Sequence, residues 1–104
     1  MIVQRAETLL SDWLDSNDSF FASLDASVEP RKSKAGCQTV WIHLKDGLVD
    51  ISAWNHGLAL DIQIFDIEGR RRWSEAGHCN IAERFVERLN RLLERMRDAQ
   101  GSAA

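Results

Sequence analysis

The chain has 104 residues, of which 44% are hydrophobic and 28% charged, with a formal net charge of −3 at pH 7. A chain of this length forms one domain that folds without a metal or disulfide framework. The small negative charge disfavours nucleic acid as a partner and favours a basic protein surface. No apolar run is long enough to cross a membrane, and none opens the chain as a secretory signal. We therefore expect a cytoplasmic protein whose two cysteines are free thiols.

The N-terminal segment predicts an amphipathic helix that ends in a cluster of turn-forming residues at 16–19. Its apolar residues recur at helical spacing: Ile2, Ala6, Leu9, Leu10, Trp13 and Leu14. Over residues 22–29 apolar and polar residues alternate up to Pro30, which favours a half-buried strand. A helix over residues 20–24 is the open alternative, because Asp18 or Ser19 could cap it. Residues 30–36 are expected to form a polar loop.

Three X-Gly pairs divide residues 37–73 into short alternating segments: Asp46-Gly47, His56-Gly57 and Glu68-Gly69. If each pair forms a two-residue turn, the segments predict an antiparallel meander with its aliphatic residues on an inner face. The outer face then collects Trp41, His43, Asp50, Trp54, Asp61, Gln63 and Phe65.

The same turns predict which residues lie opposite each other across the strands. Trp41 is expected opposite Ser52 and diagonal to Trp54, so that the two indole rings are within reach of each other. At the third turn, Ile64 is expected opposite Trp73 on the core side, and Phe65 opposite Arg72 outside.

A long final helix is expected to begin at Asn80, which would be its N-cap, with Glu83 in the first turn. Its apolar stripe is Ile81, Phe85, Val86, Leu89, Leu92, Leu93 and Met96. Residues 97–104 are expected to fray. The predicted fold class is α+β, in one domain of residues 1–104. The domain consists of an N-terminal helix, an antiparallel meander of four to five strands and a long C-terminal helix, with the helices on one sheet face.

The residues that usually carry chemistry lack the spacing of an active site or a metal site. Metal-ligand spacings are absent among Cys37, His43, His56, His78 and Cys79. Neither a nucleophile motif nor a cluster of phosphate-binding glycines is present. We expect no enzyme activity, no metal and no cofactor.

Arginines repeat at helical spacing along the final helix, at positions 84, 88, 91 and 95, but glutamates interleave with them. Glu87 and Arg91 have the favourable i, i+4 order of an ion pair. The pattern indicates a solvated helix flank rather than a nucleic-acid-binding surface.

The outer sheet face remains as the candidate site. If it is open, exposed aromatic residues beside acids are typical of a protein interface. We predict Trp41 and Trp54 as anchors, with the following residues as charge partners: Asp50, Asp61, Asp66 and Glu68. The alternative is that another segment covers this face and both tryptophans belong to the core.

Residues 51–66, Ile-Ser-Ala-Trp-Asn-His-Gly-Leu-Ala-Leu-Asp-Ile-Gln-Ile-Phe-Asp, resemble the TriTu family of bacterial immunity proteins. The shared pattern is a strand ending in Trp, a polar pair and Gly, followed by a strand with an acidic residue, here Asp61. Trp13 and the apolar final helix are also similar, whereas the run from Arg70 to Trp73 departs from the pattern.

The resemblance implies a non-catalytic immunity protein that binds and occludes a cognate toxin domain, which we expect to present a basic surface. A small acidic secretion chaperone or adaptor is the alternative function. We expect a monomer or a weak dimer, with no nucleic acid and no membrane as partner.

Overall fold

The structure is a computed structural model, and it describes residues 5–31 and 36–101. Its elements in chain order are α1 (Ala6–Ser16), α2 (Asp18–Ser23), β1 (Ser27–Pro30), β2 (Cys37–Leu44), β3 (Gly47–Trp54), a 3₁₀ turn (His56–Leu58), β4 (Ala59–Asp66), β5 (Arg71–His78) and α3 (Ala82–Gly101). The expectations for Ile2, for loop residues 32–35 and for the last three residues lie outside the described residues.

The five strands form one antiparallel sheet in the order β1-β2-β3-β4-β5, which confirms the predicted meander and the α+β class. Aliphatic side chains alternate onto the inner face of β2, β3 and β4, where they are buried. The buried residues of all three described helices belong to the same core, including Leu10 of α1, Phe21 of α2 and Leu89 of α3. The helices therefore lie on one face of the sheet and leave the other open.

The turn between β2 and β3 differs from the prediction. Lys45 and Asp46 form the two-residue turn, and Gly47 is already paired with Leu44 in the sheet. A β-carbon at position 47 would overlap the backbone carbonyl oxygen of Phe65 on β4, which explains why glycine occupies this strand position. The shift is two residues, so every side chain keeps its predicted face while its partner across the strands changes.

The other two turns confirm most of the predicted register. Trp54 lies opposite Ala59, as a turn at His56-Gly57 requires, and Ile64 lies opposite Trp73. The predicted pairing of Phe65 with Arg72 is wrong, because a bulge makes Arg71 the partner of Phe65.

The segment directly after α1 is helical, so the strand predicted over residues 22–29 is wrong for its first part, and the alternative helix over residues 20–24 is confirmed for residues 20–23. Helix α2 covers Asp18–Ser23, and only Ser27–Pro30 form a strand. Phe21 is buried edge-to-face against Trp13, with ring centroids 5.7 Å apart, and its neighbour Phe20 also packs on the core. A strand would send two consecutive phenylalanines to opposite faces, whereas a helix lets both reach the same core.

Helix α3 starts later than predicted and continues further. Asn80 is not its N-cap, because its φ is +68° and its backbone N–H donates to the Gly57 carbonyl oxygen at 2.8 Å. Ile81 lies outside the core stripe, with 49% of its surface exposed. The helix extends to Gly101, so residues 97–101 are helical rather than frayed.

Candidate partner-binding face

The outer face of the sheet is the side away from the helices. Cross-strand pairing arranges its side chains in rows that run from β1 or β2 to β5. Three neighbouring rows carry the candidate residues: Glu29–Trp41–Asp50–Gln63–Ser74, then Thr39–Ser52–Asp61–Ala76, then Cys37–Trp54–Ala59–His78. Four of the six predicted site residues, Trp41, Asp50, Trp54 and Asp61, therefore share this face.

Two carboxylates stand in adjacent rows at the centre of the outer face. The Oδ1 atom of Asp50 is buried and has no hydrogen-bond partner within the described residues. Burial raises the pKa of Asp50, the negative charge of Asp61 raises it further, and a hydrogen bond from the Trp41 side chain opposes both. The centre of this face thus holds an unsatisfied acceptor beside a second negative charge.

Trp54 forms one wall of a shallow groove at one end of the outer face. Trp54 is 37% exposed as a residue, and the groove has a volume of about 400 Å³. Its other lining residues are His56, Ala59, Leu60, Asp61, Ala76, Gly77 and His78. The groove is open because Ala59, Ala76 and Gly77 have small side chains or none. The imidazole rings of His56 and His78 meet edge-to-face, with centroids 5.9 Å apart.

Trp41 is held by its neighbours and is only partly exposed. The Arg31 guanidinium lies 4.2 Å from the centre of the indole ring, and Glu29 bridges Arg31 and His43. The hydrogen bonds from His43 and then Arg31 lower the pKa of Glu29. This cluster ties Trp41 to the edge strand β1.

The register places the two outer tryptophans apart, which corrects the predicted diagonal pair. Trp41 lies opposite Asp50, whereas Trp54 lies opposite Cys37. Four residues along β3 separate the two positions, a distance of about 13 Å in an extended strand. Trp41 and Trp54 therefore act as two separate aromatic positions, not as one stacked anchor.

The remaining predicted residues lie in the turn between β4 and β5. Asp66 pairs with Gly47 in the sheet, and its Oδ1 accepts hydrogen bonds from the backbone N–H groups of Glu68 and Arg70, at 3.0 and 2.9 Å. The carboxylate of Glu68 forms an ion pair with Arg70 at 3.1 Å. The Asp66 side chain thus closes the turn rather than joining the central acidic residues.

The sequence did not single out several residues that shape this face. Arg31 lies in the predicted loop and Glu29 in the predicted strand, yet both belong to the cluster around Trp41. Ala59 and Ala76 are small residues at outer strand positions, and that pattern is the signal that could have indicated a groove. His78 belongs to the groove only because β5 continues to that residue.

Several arginines of α3 contact partners within the chain. Arg88 forms an ion pair with Glu75 of β5 at 3.0 Å, and the predicted Glu87–Arg91 pair is confirmed at the same distance. The Arg95 guanidinium lies 5.4 Å from the centre of the Trp73 ring. These contacts hold the helix flank to the sheet and to itself.

Cys37 and Cys79 are both free, and burial raises the pKa of the Cys79 thiol. Within residues 5–31 and 36–101, no three His, Cys, Asp or Glu side chains come together as a metal site requires. In that same part of the chain, no helix is both long and apolar enough to span a membrane.

Comparison with family models, with curated proteins and with solved structures gives no match to this chain.

Proposed function

We propose that this chain is a non-catalytic domain that binds a basic protein through the outer face, and that it serves as an immunity protein. In that role it would bind and occlude a cognate bacterial toxin domain in the cytoplasm. The observation that carries the binding role is the acidic pair Asp50 and Asp61 beside the exposed Trp54, in which the Oδ1 of Asp50 has no hydrogen-bond partner within the described residues.

Partner binding would resolve an electrostatic cost that the free domain carries. A buried acceptor without a donor and two neighbouring negative charges both oppose folding. A partner that brings basic groups to this face would screen the repulsion between the two carboxylates. Acidic residues also steer a basic partner during association, and a desolvated tryptophan slows dissociation.

The toxin-neutralising role rests on the resemblance of residues 51–66 to the TriTu family. Trp54 and Asp61 carry that resemblance, and both line the groove on the outer face. This placement supports occlusion by the outer face, because the residues that define the likeness are also those offered to a partner.

The test is co-expression of the chain with a toxin domain taken from a neighbouring gene, scored by cell survival and by the affinity of the purified pair. Asp61→Arg is expected to abolish protection, because it places a positive charge against a basic partner. Trp54→Ala is expected to weaken binding about tenfold or more, as loss of an aromatic anchor does.

Asp15→Arg is the matched control, because Asp15 is exposed near the end of α1, which packs on the other side of the sheet. The control should protect as well as the unaltered chain. Full protection by a folded Asp61→Arg protein would rule out the outer face as the toxin-binding surface.

A secretion chaperone or adaptor is the second candidate, favoured by the edge of the sheet at β5. This eight-residue strand pairs with β4 on one side and with no described strand on the other. Such an edge can accept an extended segment as an added strand. Sedimentation separates the two roles, since a chaperone is expected to dimerise and bind an unfolded segment, whereas an immunity protein is expected to bind one folded toxin domain.

A further inference from the structure

The groove beside Trp54 has the shape to admit one side chain of a partner. Trp54 lies opposite Ala59, and Asp61 lies opposite Ser52, so Trp54 and Asp61 are diagonal neighbours on adjacent strands. Diagonal positions of an antiparallel pair are about 7 Å apart, which leaves room for a flat group between an indole ring and a carboxylate. Ala76 lies opposite Asp61 on β5 and also lines the groove.

The charge of the groove calls for a cation that the chain does not itself supply. Strands β2, β3 and β4 contain no lysine and no arginine, whereas Asp50 and Asp61 both stand on their outer face. Within the described residues, the Asp61 carboxylate has no ion pair or hydrogen bond, and the Oδ1 of Asp50 is buried without a donor. His56 and His78 also line the groove, but neither forms an ion pair with Asp61 in the part of the chain that the structure describes, so the carboxylate is free to pair with a cation from another molecule.

We infer that this groove binds one arginine side chain of the protein partner, with its guanidinium stacked on Trp54 and paired with Asp61. A guanidinium is planar, stacks on aromatic rings and donates two parallel hydrogen bonds to a carboxylate, whereas a lysine ammonium is a compact and strongly hydrated charge. The apolar stem of arginine fits against the alanine side chains. A neutral apolar side chain would instead desolvate Asp61 without compensation.

This inference rests on the proposed function only for the existence of a protein partner, and the chemistry of the groove can be measured without any toxin. The probe is N-acetylarginine amide, titrated into the isotopically labelled full chain and followed by two-dimensional amide NMR. N-acetyllysine amide tests charge alone, and N-acetylcitrulline amide tests shape without charge.

Arginine amide is expected to give saturable shifts confined to the Trp54 indole N–H and the backbone amides of Asp61 and Ala76. A single stacked ion pair predicts a dissociation constant on the order of 10 mM. Citrulline amide should give no saturable shift, and lysine amide should bind more weakly than arginine amide. Asp61→Asn should weaken arginine binding about tenfold, and Trp54→Leu should also weaken it.

Asp15→Asn removes an exposed carboxylate elsewhere and should leave the titration unchanged, while the dispersion of each variant's spectrum reports its folding. Shifts spread over the whole acidic surface, an equal response to lysine amide, or an unchanged titration in Asp61→Asn would each overturn the inference. The two proposals also fail separately. Arginine binding by a chain that protects no cell contradicts only the immunity role, and protection by a chain whose groove ignores arginine contradicts only the arginine site.

Discussion

One side chain of the β3–β4 turn caps the N-terminus of α1, and its removal tests how this hairpin holds the helix. The Oδ1 atom of Asn55 accepts a hydrogen bond from the backbone N–H of Ala6 at 2.7 Å, across 49 residues of sequence. Arg5, which precedes the helix, makes no side-chain cap. Asn55→Ala therefore deletes the side-chain cap of this helix end.

The expected loss is about 1–2 kcal/mol of unfolding free energy, the usual effect of losing a capping acceptor. Ala6 is only 1% exposed, so water replaces the lost acceptor poorly. For a domain of about 100 residues, this loss lowers the midpoint of thermal unfolding by roughly 5–10 °C. Asn55→Asp is the matched variant: it keeps an acceptor and adds a negative charge at the positive end of the helix.

Thermal unfolding and amide exchange at residues 6–10 measure the two variants together. The alanine variant should exchange faster in this first helical turn, whereas the aspartate variant should stay close to the unaltered chain in both measurements. The capping role of Asn55 would be contradicted if the alanine variant matched the unaltered chain in stability and exchange. It would also be contradicted if the aspartate variant were destabilised as much as the alanine variant.

Three further predictions concern stability and are read from urea unfolding. Asp50→Asn should raise the unfolding free energy at pH 7. Because the folded-state pKa of this carboxyl is raised by burial and by Asp61, the folded state binds the proton more tightly. The advantage of the variant should therefore shrink as the pH falls through that pKa toward the unfolded value of about 3.9; a constant advantage would contradict this. Gly57→Ala should cost roughly 1–2 kcal/mol, since φ is +64° and a β-carbon would lie 2.8 Å from His78 Nδ1; His78→Ala should restore part of the loss. Leu92→Ala, at a position with 0% exposure, should cost about 2–5 kcal/mol, and a loss below that range would show that the core collapses around the site.

The faces of the central strands could be read from the sequence even though one turn was assigned wrongly. Side chains alternate with a period of two, so a shift of two residues at Lys45-Asp46 leaves Trp41 and Asp50 on the outer face. The cross-strand partner of each residue, in contrast, changes with such a shift. The contact between Gly47 and the Phe65 carbonyl is a feature of the neighbouring strand, and no local pattern contains it.

The helix ends and the segment after α1 depended on residues distant in the chain. Residues 22–28 alternate as a strand would, but the burial of Phe21 against Trp13 outweighs that local pattern. Asn80 has the chemistry of an N-cap, yet its backbone hydrogen bond to Gly57 holds it in a left-handed conformation before the helix. The local conformational propensity of these residues is weaker than such tertiary contacts.

The sequence by itself determined the strand order, the inner aliphatic face and the outer position of Trp54 and Asp61, because alternation and turn spacing are local properties. Only the tertiary structure decided that the helices leave the outer face open, that Trp41 and Trp54 lie apart, and that the groove extends to His78 of β5. These features depend on which strands meet and on the residue at which each pairing begins. Packing across the whole chain determines which strands pair and in which register, and no single segment of the sequence contains that information.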